Sequence, residues 1–176
     1  MDQTRHFDPA PWSTALKVTS SLGTVLVLGV GIAAYRAIPT PAGFTHHFGL
    51  AVALVFPVML VFCLLFTVNG YAVSPSHLEV VRLLWSTKIP LAGLSRVWIE
   101  PSVCKGALRI FGNGGLFSFT GLYQNSRLGR FRLFVTDFKQ PVVLSIAGRT
   151  VVISPASPQA FVEHIHDLFP ATRPPA

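Results

Sequence analysis

Hydrophobic positions fall into two regimes along the chain. Up to about residue 69 they form long unbroken runs, and from Gly70 onward they come in short clusters split by turn residues. The run Phe48–Val68 (FGLAVALVFPVMLVFCLLFTV) is about as long as a helix needs to be to cross a ~30 Å hydrocarbon core. Val18–Tyr35 (VTSSLGTVLVLGVGIAAY) is a second such run, diluted at its start by Thr19, Ser20, Ser21 and Thr24. The pattern predicts an N-terminal tail over 1–14, a transmembrane helix over 15–36, a short loop over 37–47 and a second transmembrane helix over 48–69. Pro57 falls inside the second helix, where neighbouring helices can satisfy the freed carbonyl, and a kink is expected there. A cleaved signal peptide fits the first run poorly, since its apolar stretch is long and Ile38-Pro39 is a poor cleavage context.

From Gly70 the residue types change with the period. Tyr71–Val73, Leu78–Leu84, Arg96–Glu100, Phe131–Thr136, Val142–Ile146 and Val151–Ile153 are β-branched or aromatic and short, as strands are. Ser74-Pro75-Ser76, Trp85-Ser86-Thr87, Lys139-Gln140-Pro141 and Ala147-Gly148 are the expected turns. No helical crossover separates them, which excludes a doubly wound parallel sheet. Near the end, Phe161, Ile165 and Leu168 recur at i, i+4 and i+7, with Ser157 placed to cap that helix and Pro158 at its first position. The expected class is a transmembrane α-hairpin followed by an all-β barrel or sandwich of about seven antiparallel strands over 70–169. One C-terminal helix closes it, and a loose tail follows over 170–176.

Composition and charge sharpen this reading. Of the 176 residues, 51% are hydrophobic and only 12% charged, which excludes a disordered chain. No Asp, Glu, Lys or Arg occurs from Val18 to Tyr35 or from Ala37 to Leu78. Arg5 and Lys17 before the first span, with Arg82 and Lys88 after the second, outweigh Arg36 in the loop. The basic-residue rule then places both termini and the domain on the cytoplasmic side of a bacterial inner membrane. Cys63 and Cys104 lie far apart in this layout, so no disulfide is expected.

The order of short words along the domain carries a resemblance. Ile89-Pro90-Leu91, Arg96-Val97-Trp98-Ile99, Gly112-Asn113-Gly114-Gly115, Gly121-Leu122-Tyr123, Leu128-Gly129-Arg130-Phe131, Val135-Thr136, Val151-Val152-Ile153-Ser154-Pro155 and Phe161 follow one another as in bacterial pleckstrin-homology-like (PH-like) domains that sit behind a transmembrane hairpin. The resemblance covers about Gly70 to Phe169. It implies two antiparallel sheets with a helix closing one corner, and it implies no reaction.

Candidate chemistry is sparse. The glycine run Gly112–Gly115 lacks the following helix and Lys-Ser/Thr of a phosphate loop. It reads as a strand connection, with Gly112, Asn113, Gly114 and nearby Tyr123 as a candidate contact for lipid headgroups or a partner. Arg127, Arg130 and Arg132 form the one basic cluster. On an extended segment Arg130 and Arg132 share a face opposite Phe131 and Leu133. From Gly70 on, eleven basic residues stand against five acidic ones. The scattered placement of those cations does not fit a nucleic-acid interface. The carboxylates Glu79, Glu100, Asp137, Glu163 and Asp167 form no acid–base couple. His46-His47 and the pair His164 and His166 lack the companions of a metal site.

The expected function is therefore a non-catalytic, membrane-anchored interaction module without cofactor or metal, binding a protein partner at the cytoplasmic face. The alternatives are an anionic-lipid sensor, or an accessory subunit of a membrane transport or enzyme complex working through its hairpin. Gly29 and Ala33 have the small-xxx-small spacing by which such a hairpin packs internally or forms an oligomer.

Overall fold

The computed structural model describes residues 4–38 and 43–173. Two long helices come first, α1 (Thr14–Arg36) and α2 (Phe44–Leu65), packed on each other as a hairpin. Both are long and apolar enough to cross a membrane. Ser13 caps α1, its Oγ accepting from the Leu16 N–H at 3.1 Å. Helix α2 runs unbroken through Pro57. It begins earlier than the sequence predicts, so His46 and His47 sit in its first turn rather than in a loop, their rings edge-on at 5.8 Å. Part of the expected loop lies outside the described residues. Where the helices meet, a Cβ at Gly31 would touch Phe56 and Ala53, while a Cβ at Gly29 would meet no other part of the described structure within 4 Å.

The strands β2 (Gly70–Val73), β3 (His77–Val81), β4 (Ser86–Pro90), β5 (Leu94–Ile99), β6 (Leu108–Gly114), β7 (Phe119–Asn125), β8 (Gly129–Val135), β9 (Val142–Ile146) and β10 (Arg149–Ile153) follow, then α3 (Pro158–Leu168). A further strand, β1 (Arg5–Phe7), comes from ahead of the hairpin. They form two sheets, one ordered β1-β2-β3-β4 and one ordered β5-β9-β10-β8-β7-β6, with no closed barrel. Pairing is antiparallel except between β8 and β10, where β9 and its hairpin insert β10 beside β8. The turn Ala147-Gly148 has φ of 46° and 75°, the two positive angles that a two-residue hairpin matched to strand twist requires.

Strands β9 and β10 are buried on both faces, which explains their continuous apolar sequences. One face builds the main core with the smaller sheet and α3: Val97, Leu144, Val151 and Ile153 meet Tyr71, Leu78, Phe161 and Ile165. The other face builds a second core, with Phe131, Leu133, Val143 and Val152 covered by the 100–107 segment through Val103.

Several expectations are corrected. The N-terminal segment is part of the domain: β1 pairs with β2, Phe7 packs edge-on against Phe161 at 5.0 Å, and the Ala10 N–H donates to Ser154 O at 2.7 Å. The expected strand Leu78–Leu84 ends at Val81. The chain turns at Arg82–Trp85, and Ser86–Pro90 is strand rather than turn. Ser157 occupies the N-cap position of α3, but its hydroxyl makes no cap bond. The expected loose tail begins with a 3₁₀ turn at Pro170–Thr172, where Thr172 is buried and Arg173 pairs with Asp167 at 2.9 Å.

The candidate interaction surface

Hairpin and domain are joined by a polar seam, and this seam fixes which domain surfaces stay open. The loop after β6 lies along α1. Thr19 Oγ1 donates to Gly115 O at 2.9 Å, the Phe117 N–H donates to Ser20 Oγ at 2.9 Å, and Trp12 lies against Phe117. Asn113 closes that loop on itself, its Oδ1 accepting from the Leu116 N–H and its amide donating to Leu116 O. At the end of α2, Phe66 O accepts from Arg82 at 2.5 Å and from Ser118 Oγ at 3.3 Å.

Arg82 is only 7% exposed and, among the described residues, has no carboxylate partner. Its charge is met by the negative end of α2, by the faces of Phe66 and Phe134, and by Thr87 Oγ1. Burial lowers its pKa, yet a guanidinium stays charged at neutral pH. In the sequence, Arg82 marks only membrane sidedness. Its role as a clamp carries no signal in the sequence, because its partner is a main-chain carbonyl.

The glycine-run residues belong to this seam and to the strand beneath it. Gly112 faces Gly121 across the β6–β7 pair, and a Cβ at Gly112 would come within 2.2 Å of Thr120 O. That close approach, together with the positive φ of both residues, requires glycine at each position. The Arg109 guanidinium lies over Gly114. Tyr123 points into the second core, and its hydroxyl donates to Asn113 O at 2.9 Å. Burial pushes its pKa up. Beside it is a cleft of about 430 Å³ whose lining includes Cys104, Arg109, Phe119 and Leu133. The Cys104 thiol is half-buried and its pKa is pushed up to about 12 by desolvation, which favours the protonated thiol at neutral pH.

The arginines separate into two groups. Arg127 lies in the β7–β8 turn and is paired, with Nη1 at 3.0 Å from both Glu100 Oε1 and Ser102 Oγ. Arg130 and Arg132 share a face of β8 and are exposed, as the alternation with Phe131 and Leu133 predicts. Strand register adds neighbours that the sequence reading did not assign. One cross-strand row is Leu108, Gln124 and Arg130, and the next is Phe111, Leu122 and Arg132. Leu108 is 76% exposed and Phe111 79%, on a strand with no partner along its outer edge. The result is an open sheet face, apolar at its edge on β6 and cationic two strands in on β8, with β7 between. The signal for Leu108 and Phe111 was their apolar character, but the glycine-rich sequence after them read as loop and hid the strand.

The face belongs to a domain of two mostly antiparallel sheets followed by a C-terminal helix. Among the described residues no group of three or more His, Cys, Asp or Glu is placed to hold a metal ion. The family model described as the bacterial PH domain matches residues 69–168, more than half of the chain, and the chain belongs to that family. Neither a curated protein nor a solved structure matches it.

Proposed function

We propose that this chain is a non-catalytic, membrane-anchored PH-domain module that binds a protein partner through the open face of β6, β7 and β8. The hairpin would lie in a bacterial inner membrane with the domain on the cytoplasmic side. The observation that carries this reading is the edge of β6, unpaired among the described residues, with Leu108 and Phe111 exposed in the same cross-strand rows as Arg130 and Arg132, which lie beyond β7. An exposed edge accepts an added strand through main-chain hydrogen bonds, and side-chain positions next to it supply selectivity. Here those positions suit an extended segment with apolar residues and carboxylates. Strand geometry weighs against the lipid of the same membrane as the occupant. Arg130 lies six residues, about 20 Å along an extended strand, from Thr136, where the Ser13 N–H at the root of α1 bonds. Screening reduces charge attraction over roughly 8–10 Å.

Co-purification in mild detergent tests the reading, with wild type compared to Arg130→Ala, Arg132→Ala and to Phe111→Ser. A specific protein recovered with wild type and lost from both variants is the expected result. Unchanged protein partners with weaker binding to anionic vesicles would replace the reading with lipid recognition.

A further inference from the structure

The turn between β3 and β4 carries Leu83, Leu84 and Trp85, three consecutive large apolar side chains at a position where hairpins ordinarily use Gly, Asn, Asp or Ser. Leu84 is 73% exposed and Leu83 52%. Neither domain core includes them. Trp85 packs edge-on against Phe66 at 5.0 Å, and Phe66 is tilted against Phe62 at 4.8 Å. Phe62 itself is exposed on the outer surface of α2. The apolar surface of the second helix thus continues, ring by ring, onto the tip of a domain hairpin.

From this continuity we infer that the Leu83–Trp85 tip sits in the bilayer, at the boundary of headgroups and acyl chains in the leaflet nearest the domain. The inference rests on the proposal that the hairpin spans a membrane. The 22 residues of α2 make a helix of about 33 Å, close to the ~30 Å hydrocarbon thickness, so its end at Leu65–Phe66 falls at that boundary. Trp85 is held at the same level by its contact with Phe66. Leu83 and Leu84 are one and two residues away, so they lie within about 7 Å of it. Apolar side chains of interfacial elements bury to about 5–10 Å, and Trp concentrates at this depth because its ring is apolar with one polar N–H. The buried Arg82 guanidinium, held on Phe66 O, fixes the base of the turn. The tip is therefore a third membrane contact, additional to the two helices, and it sets the tilt of the domain.

The test uses the full chain in proteoliposomes with Trp12→Phe and Trp98→Phe, leaving Trp85 as the sole tryptophan. A parallel chain carries Phe at all three tryptophan positions plus Leu54→Trp, which reports the middle of α2. The expected result is blue-shifted Trp85 emission that loses most of its intensity to lipids brominated near the headgroup, less to lipids brominated near the chain ends, and little to aqueous iodide. Leu54→Trp should show the opposite lipid preference. Water-like Trp85 emission open to iodide, with Leu54→Trp quenched by lipid, would overturn the tip contact and leave the spanning hairpin intact. Absence of lipid quenching at Leu54→Trp would overturn both. If the phenylalanine variants do not fold, Leu84→Cys bearing a polarity-sensitive dye, in a Cys63→Ala, Cys104→Ala background, reads the same depth. A water-like dye spectrum there overturns the inference.

Discussion

Tyr71 shows how a single side chain can hold two sheets together. It is fully buried, its hydroxyl donates to Phe134 O at 2.7 Å, and it accepts from the Ser154 N–H at 3.1 Å. Burial pushes its pKa up to about 12, so the neutral phenol is the form that bridges. Tyr71→Phe would leave a buried carbonyl and a buried N–H without their partner, at about 1–3 kcal/mol for an orphaned group. Chemical denaturation should show that loss, with partner recovery unchanged. His164, packed against the cross-strand partner of Tyr71, is expected to make stability acid-sensitive. Its ring lies 5.8 Å from Phe7, and its Nε2 is buried without a hydrogen-bond partner. Burial lowers its pKa, the Arg5 charge lowers it further, and Asp167 raises it in part. As pH falls below about 6.5 the unfolded chain takes up this proton before the folded one does. Stability from this site is complete above that pH and is lost as pH falls toward the depressed folded value. His164→Asn should flatten the dependence of denaturation midpoint on pH between about 7 and 5, and an unaltered slope would assign it to another group.

At the scale of elements, β1 makes the sharpest prediction. A fragment of residues 69–168 covers the family match but lacks Phe7 and leaves the edge of β2 unpaired. It should melt at lower temperature than the full chain, and adding a peptide of residues 4–13 should raise that melting temperature. No response to the peptide would show that β1 contributes nothing to stability. Why β1 escapes a reading of the sequence is plain from its three residues, Arg5, His6 and Phe7. They show too little alternation to mark a strand, and their partner is more than sixty positions away. Strands β9 and β10 were legible because burial on both faces demands unbroken Val, Leu and Ile. The closing helix was legible from one apolar stripe. Strands β4 and β6 were not: β4 follows a turn built of Leu83, Leu84 and Trp85 instead of ordinary turn residues, and β6 ends in glycines that a strand rarely contains. At the candidate site, the shared face of Arg130 and Arg132 follows from the two-residue period of any strand. That Leu108 and Phe111 extend this face depends on register, which the chain does not display locally.

For the whole molecule, the seam turns helices and domain into one mechanical body. Arg82, Ser118, Thr19 and Ser20 bond across it from both ends of the hairpin. Arg82→Met should keep the apolar stem but release Phe66 O. Limited proteolysis in detergent should then cut the 66–69 connection several-fold faster than in wild type, with the domain still folded. An equal cleavage rate would mean that the α1 contacts suffice. One consequence concerns assembly. Because Arg5–Phe7 pairs with Gly70–Val73, the smaller sheet is complete only when the chain has left the domain, traversed the hairpin and come back to the same side. A polypeptide inserted with one helix reversed, or with only one helix across, would strand the two partners on opposite faces of the bilayer. If the hairpin spans a membrane as proposed, the domain would thereby proofread the topology of its own anchor, and a misinserted copy would present an unfinished sheet edge for quality-control proteases to find.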